Sequence, residues 1–97
     1  MATLHLLSRS PFSNDQLASC LRLLDQDDAL LLTGDAVYAL LPGSEPARQL
    51  AGVRLFALEE DLAARNLQPD GHPELIRLDY PGFVALTCQY SRVNSWL

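Results

Sequence analysis

Lysine is absent from this chain, and its seven basic residues are all arginine, scattered at positions 9, 22, 48, 54, 65, 77 and 92. Set against twelve acidic residues, they leave a formal net charge of −5. Gripping a phosphate backbone requires clustered basic side chains, which argues against direct binding of nucleic acid. No stretch approaches the ~20 uninterrupted apolar residues that would cross a bilayer, which argues against a membrane span. The start, Met1-Ala2-Thr3-Leu4-His5, has no basic region ahead of an apolar one, because Arg9 comes after the short apolar run. That order does not fit an export signal, and a cytoplasmic location is expected. Cysteine is scarce: Cys20 and Cys88 make no disulfide framework and read as free thiols in a reducing compartment. Neither glycine-rich nucleotide-binding motif occurs, nor the G-x-S-x-G of hydrolases, so no cofactor is expected.

What is present describes one globular domain, residues 1–97, with 48% hydrophobic and 20% charged residues. A chain of this length buries roughly 60–70% of its unfolded surface. The apolar share is high for a small monomer, so a partner is expected to cover part of the surface.

Short apolar runs alternate with helix-like stretches, which predicts an α/β domain of three layers around a mostly parallel sheet of four to five strands. Strands are expected at 3–7, 29–33, 53–57 and 75–78, and the segment 93–96 reads as an edge strand or a docked tail. In the first helix, Ser13 and Gln16 have capping-box spacing and Phe12 and Leu17 staple spacing. Its apolar stripe is Leu17, Cys20, Leu21 and Leu24, running to about residue 24. Short helices are expected at 35–41 and after Ser44, another at 59–65, and a last one capped by Asp79 and running to about Tyr90.

Chemistry-bearing residues are few. Cys20 could carry a persulfide if its thiolate were accessible, yet its place on the apolar stripe favours the core. Cys88 reads as core or helix packing. His5, within strand one, reads as a satisfied interior residue, and His72, in a Pro/Gly loop, as solvated. Histidines at 5 and 72 with cysteines at 20 and 88 lack zinc-ligand spacing. Glu59, Glu60 and Asp61 suit a helix start, and successive positions point in different directions. Asp35, in the turn after strand two, would repel a phosphate. Trp96, next to the last residue, must dock on its own body or on a partner.

Several segments together resemble the DsrH/TusB family: Leu4-His5, Arg9-Ser10-Pro11, Gly34-Asp35-Ala36-Val37-Tyr38-Ala39, Leu58-Glu59-Glu60-Asp61-Leu62-Ala63-Ala64-Arg65, Asp79-Tyr80-Pro81-Gly82-Phe83-Val84-Ala85-Leu86 and the Ser95-Trp96 ending. The resemblance covers nearly the whole chain. It implies a DsrE/DsrF-like fold and a place in a cytoplasmic sulfur-relay complex, a dimer of heterotrimers with DsrE/TusD-like and DsrF/TusC-like subunits. The implied donor is TusA-like and the implied acceptor DsrC/TusE-like. The implied end use is 2-thiolation of the tRNA wobble uridine, with this chain in an assembly role. The alternative is a DsrH-type subunit of a sulfur-oxidation relay in which Cys20 itself carries persulfide. Many DsrH-type members carry a cysteine at the matching place, whereas other TusB-type members lack it.

Overall fold

The computed structural model describes residues 2–69 and 72–96. Its elements run β1 (Thr3–Leu7), α1 (Gln16–Leu23), β2 (Ala29–Leu32), a 3₁₀ helix (Gly34–Leu40), α2 (Glu45–Gln49), β3 (Leu55–Leu58), α3 (Glu59–Ala64), β4 (Ile76–Leu78), α4 (Tyr80–Gln89) and β5 (Arg92–Trp96). The strands form one sheet of order β4-β3-β2-β1-β5, and every neighbouring pair is parallel. The 93–96 segment is thus an edge strand, placed beside β1 with Leu7 opposite Trp96.

A parallel sheet has both faces covered, so its inner strands carry apolar side chains at every position. All four residues of β2, Ala29 to Leu32, are 0% exposed. Alternation along the strands divides the core in two. On one face Leu7, Leu30, Leu32, Leu55 and Ala57 pack with Leu17 and Cys20 of α1, with the 3₁₀ helix and with Leu62 of α3. On the other face Leu4, Ala29, Leu31 and Phe56 meet Leu86 of α4. Helices on both faces make the three layers that the sequence predicts.

Local rules place most of the boundaries. The Asp79 carboxylate accepts from Gly82 N–H at 2.8 Å and starts α4, and the Ser44 hydroxyl accepts from Ala47 N–H at 3.3 Å and starts α2. The first helix departs from expectation. It begins at Gln16, its cap residue Asp15 makes no side-chain cap, and Ser13 is not a cap at all. Both the N–H and the hydroxyl of Ser13 donate to the Ser10 carbonyl, which spends them on a turn before the helix. The Asn14 side chain instead accepts from Gln16 N–H at 3.1 Å. Phe12 is 58% exposed and lines a surface cleft of about 280 Å³ with Pro11, Leu17 and Pro46, so it does not staple a cap.

Just past β2, Thr33 donates both its N–H and its hydroxyl to the Leu7 carbonyl, at 2.9 and 3.0 Å, as the last bond of the pairing with β1. Next comes Gly34 at φ +52°, a left-handed conformation, where a Cβ would sit 3.1 Å from the Ser8 carbonyl oxygen. At Gly52, φ +80°, a Cβ would meet nothing within 4 Å. Gly34→Ala is therefore expected to lower stability by about 1–2 kcal/mol for the backbone conformation, plus the clash. Gly52→Ala carries only the conformational part. Urea unfolding midpoints of the two variants test the order, which a smaller loss at Gly34 would reverse.

Candidate functional site

Open α/β sheets bind ligands outside the carboxyl ends of their strands. Here that end is closed by the chain's own side chains. The Gly34 N–H donates to Asp61 Oδ2 at 2.8 Å, where a bound anion would otherwise be received. The Arg65 guanidinium pairs with Asp35 at 2.8 Å and Asp61 at 3.6 Å, and lies 5.8 Å from the Tyr38 ring centroid. The three acidic residues opening α3 diverge, as their succession on a helix predicts. Asp61 holds Gly34, Glu59 faces Arg77 at 3.7 Å, and Glu60 is exposed.

The polar chemistry of the molecule gathers instead at the opposite end of β1. His5 and Asp28 are each 5% exposed, the only buried polar or charged residues among those described. Asp28 Oδ1 accepts from Thr3 N–H at 2.8 Å, and its Oδ2 accepts from Asp25 N–H at 3.0 Å. His5 Nε2 lies 3.3 Å from the same Oδ2, and the Trp96 indole N–H donates to His5 Nδ1 at 3.2 Å. An indole nitrogen can only donate, so Nδ1 is the unprotonated nitrogen and Nε2 carries the proton that Asp28 accepts. A polar cavity of about 410 Å³ opens beside the pair, lined by Thr3, Asp25, Arg92 and Asn94 among others. Burial alone would raise the Asp28 carboxyl. The hydrogen bonds from Asp25, Thr3 and His5 outweigh it and hold Asp28 below its ordinary value of 3.8.

Cys20 lies close to this group but inside the core. It is 0% exposed, and its thiol is pushed up to about 11, first by burial and then by the Asp28 charge. At neutral pH such a thiol is ionised in roughly one molecule in ten thousand. Persulfide chemistry runs through an accessible thiolate. Cys88 departs from its expected packing role: it is exposed on α4, since Leu86 is the residue that helix buries. The two thiols lie on opposite sides of the sheet and are both free. His72 also departs from expectation. It is half-buried rather than solvated, and its Nδ1 is enclosed without a hydrogen-bond partner among the described residues. No three His, Cys, Asp or Glu side chains among the described residues converge as a metal site.

Sequence reasoning saw His5 and Trp96 as separate interior and docking residues and passed over Asp28 as part of an acidic turn. Nothing in their spacing links positions 23 and 91 residues apart. The one usable signal was an acidic residue placed immediately before a fully apolar strand.

Residues 9–93 match the family described as DsrH like protein. Protein TusB of Escherichia coli O139:H28 is 41% identical over 95 residues, covering 96% of this chain and 99% of that protein. The chain belongs to the DsrH/TusB family. Protein TusB of Shigella boydii serotype 18 matches to the same extent. Among solved structures, the ychN protein from E. coli superposes with a TM-score of 0.74 over 99% of this chain and all of that one. At 18% identity this last likeness speaks for the fold alone. The same fold supports many functions, so in this family member the side chains must decide the role. No helix among the described residues is long and apolar enough to cross a membrane.

Two outcomes are expected at these residues. A thiol reagent should label Cys88 in the native protein well before Cys20, and label both at similar rates in denaturant. Equal native rates would refute the burial of Cys20. Asp28→Asn should cost about 1–3 kcal/mol at neutral pH, because three donors lose a charged acceptor. A carboxyl lowered by folding stabilises above its unfolded value and loses that contribution as pH falls. The gap between wild type and variant should therefore be full above pH 3.8 and narrow below it. Denaturant melts at several pH values check the sign.

Proposed function

We propose that this chain is a subunit of a cytoplasmic sulfur-relay complex that supports 2-thiolation of the tRNA wobble uridine, and that its own role is assembly rather than sulfur carriage. The near full-length likeness to proteins named TusB supports the relay. The observation that carries the assembly role is Cys20, fully buried with its thiol pushed up to about 11. The sulfur then travels on cysteines of other subunits, and this chain shapes the surface around them.

The partners in this reading are two related α/β subunits, of DsrE/TusD and DsrF/TusC type, in a dimer of heterotrimers. A TusA-like donor and a DsrC/TusE-like acceptor act on the complex. The helix α4 favours such an arrangement. Its ten residues carry no charge, and Tyr80 and Val84, four positions apart, are both more than half exposed. A helix apolar all round belongs in an interior, and a small domain supplies one only with a partner. Net acidity suits protein partners better than tRNA itself.

Deleting the gene in the native host should abolish 2-thiouridine in tRNA, measured by nucleoside mass spectrometry. Wild type, Cys20→Ser and Cys20→Ala should each restore it. Unchanged thiolation after deletion would defeat the tRNA assignment. Restoration by wild type but not by Cys20→Ala, with the complex still forming on gel filtration, would make Cys20 a carrier. Val84→Asp should release the chain from co-purifying subunits while leaving the stability of the isolated chain within about 0.5 kcal/mol, as for an exposed position.

A further inference from the structure

The cavity beside β1 contains a second device, which rests on geometry alone and not on the assembly role. His5 has its two ring nitrogens committed in opposite senses: Nδ1 accepts from the Trp96 indole, and Nε2 faces Asp28 Oδ2. An imidazolium has two N–H donors and no acceptor. A protonated His5 and a hydrogen-bonded Trp96 indole are therefore mutually exclusive, whichever way the ring is turned.

We propose that His5 is a proton-operated latch on the C-terminal strand: the neutral ring holds the Trp96 indole, and taking up one proton at Nδ1 releases it. The added proton comes from solvent, and the polar cavity lined by His5, Thr3, Asp25 and Arg92 gives it a route to an otherwise buried ring. On protonation the Nε2–H to Asp28 bond remains and becomes an ion pair, so the acid form keeps one partner and loses the other. Imidazole is the side chain that ordinarily changes charge in mildly acid solution.

The charged and titratable groups around His5 come from several elements. Asp28, from the turn before β2, faces it at 3.3 Å, and Asp25 from the same turn and Arg92 from β5 line the same cavity. Cys20 approaches from α1 as an un-ionised thiol. Thr3, the neighbour on β1, is uncharged. The indole that would be released belongs to the edge strand β5, where Trp96 packs against the α1 side of the core and its ring centroid lies 6.2 Å from that of His5. Protonation thus acts on the exposed edge of the sheet, where Val93 and Asn94 already face solvent.

The chain holds one tryptophan and two histidines, which makes the latch readable in the full-length protein. Lowering the pH from about 8 to 5 spans the ordinary imidazole range. Trp96 fluorescence should fall along a one-proton curve, because a neighbouring imidazolium quenches indole emission. The single indole N–H resonance should move towards its water-bonded position with the same midpoint as the His5 Cε1–H shift. His5→Gln should remove the transition, and His72→Gln should leave it in place. The proposal is overturned if the His5 ring titrates while the indole resonance stays still, if the ring does not titrate in this range, or if the transition survives His5→Gln. Should His5→Gln fail to fold, the comparison of midpoints in the wild type decides alone.

Discussion

A parallel sheet presents two apolar faces, and this chain has only 97 residues with which to cover them. The rest of the structure answers to that constraint. The inner strand β2 is wholly buried, so the segments on either side must supply a lid for each face. One face receives α1, the 3₁₀ helix and α3. The other receives α4 alone, and exposed apolar residues at Ile76, Tyr80, Val84 and Val93 are the consequence. Part of the exposed apolar surface lies where a single helix is too little to close a face, and part at Phe12, Leu23 and Leu41.

The same constraint explains why the chemistry is thin. Cys20 on the inner stripe of α1 is buried in the core, and that burial suppresses the thiolate on which sulfur chemistry depends. At the carboxyl end of the sheet, where related architectures place ligands, Gly34 N–H is already bonded to Asp61 and Arg65 neutralises the acidic pair beside it. The proposed assembly role rests on the first of these features. The polar exception, His5 with Asp28 and Trp96, runs along β1 from the turn before β2 to the end of β5 and fastens the last strand to the first.

Much of the fold was legible. Strand β1 occupies the predicted residues, and the caps at Ser44 and Asp79 act as their side chains predict. The failures have local causes. Ser13 carried the right spacing for a capping box, but its hydroxyl has a nearer acceptor in the Ser10 carbonyl, and the turn this makes delays the helix to Gln16. Cys88 lay four residues from Val84 on a helix with no clear polar side, so periodicity could not say which stripe faces inward. His72 was assigned to solvent from the company of Pro and Gly, which describes the backbone and not the environment of the ring.

By itself the sequence determined the α/β class and the order of the elements, which follow from apolar spacing and capping chemistry, and several of its segments resembled the family to which the chain belongs. It also placed Cys20 on an inward stripe. Only the tertiary structure decided that β5 lies beside β1, that Asp28 is buried, and that His5 is held between Asp28 and Trp96. Those contacts join positions 23 and 91 residues apart, and a hydrogen bond across such a separation leaves no periodic trace in the chain. It comes into being only when the parallel crossover brings the last strand alongside the first.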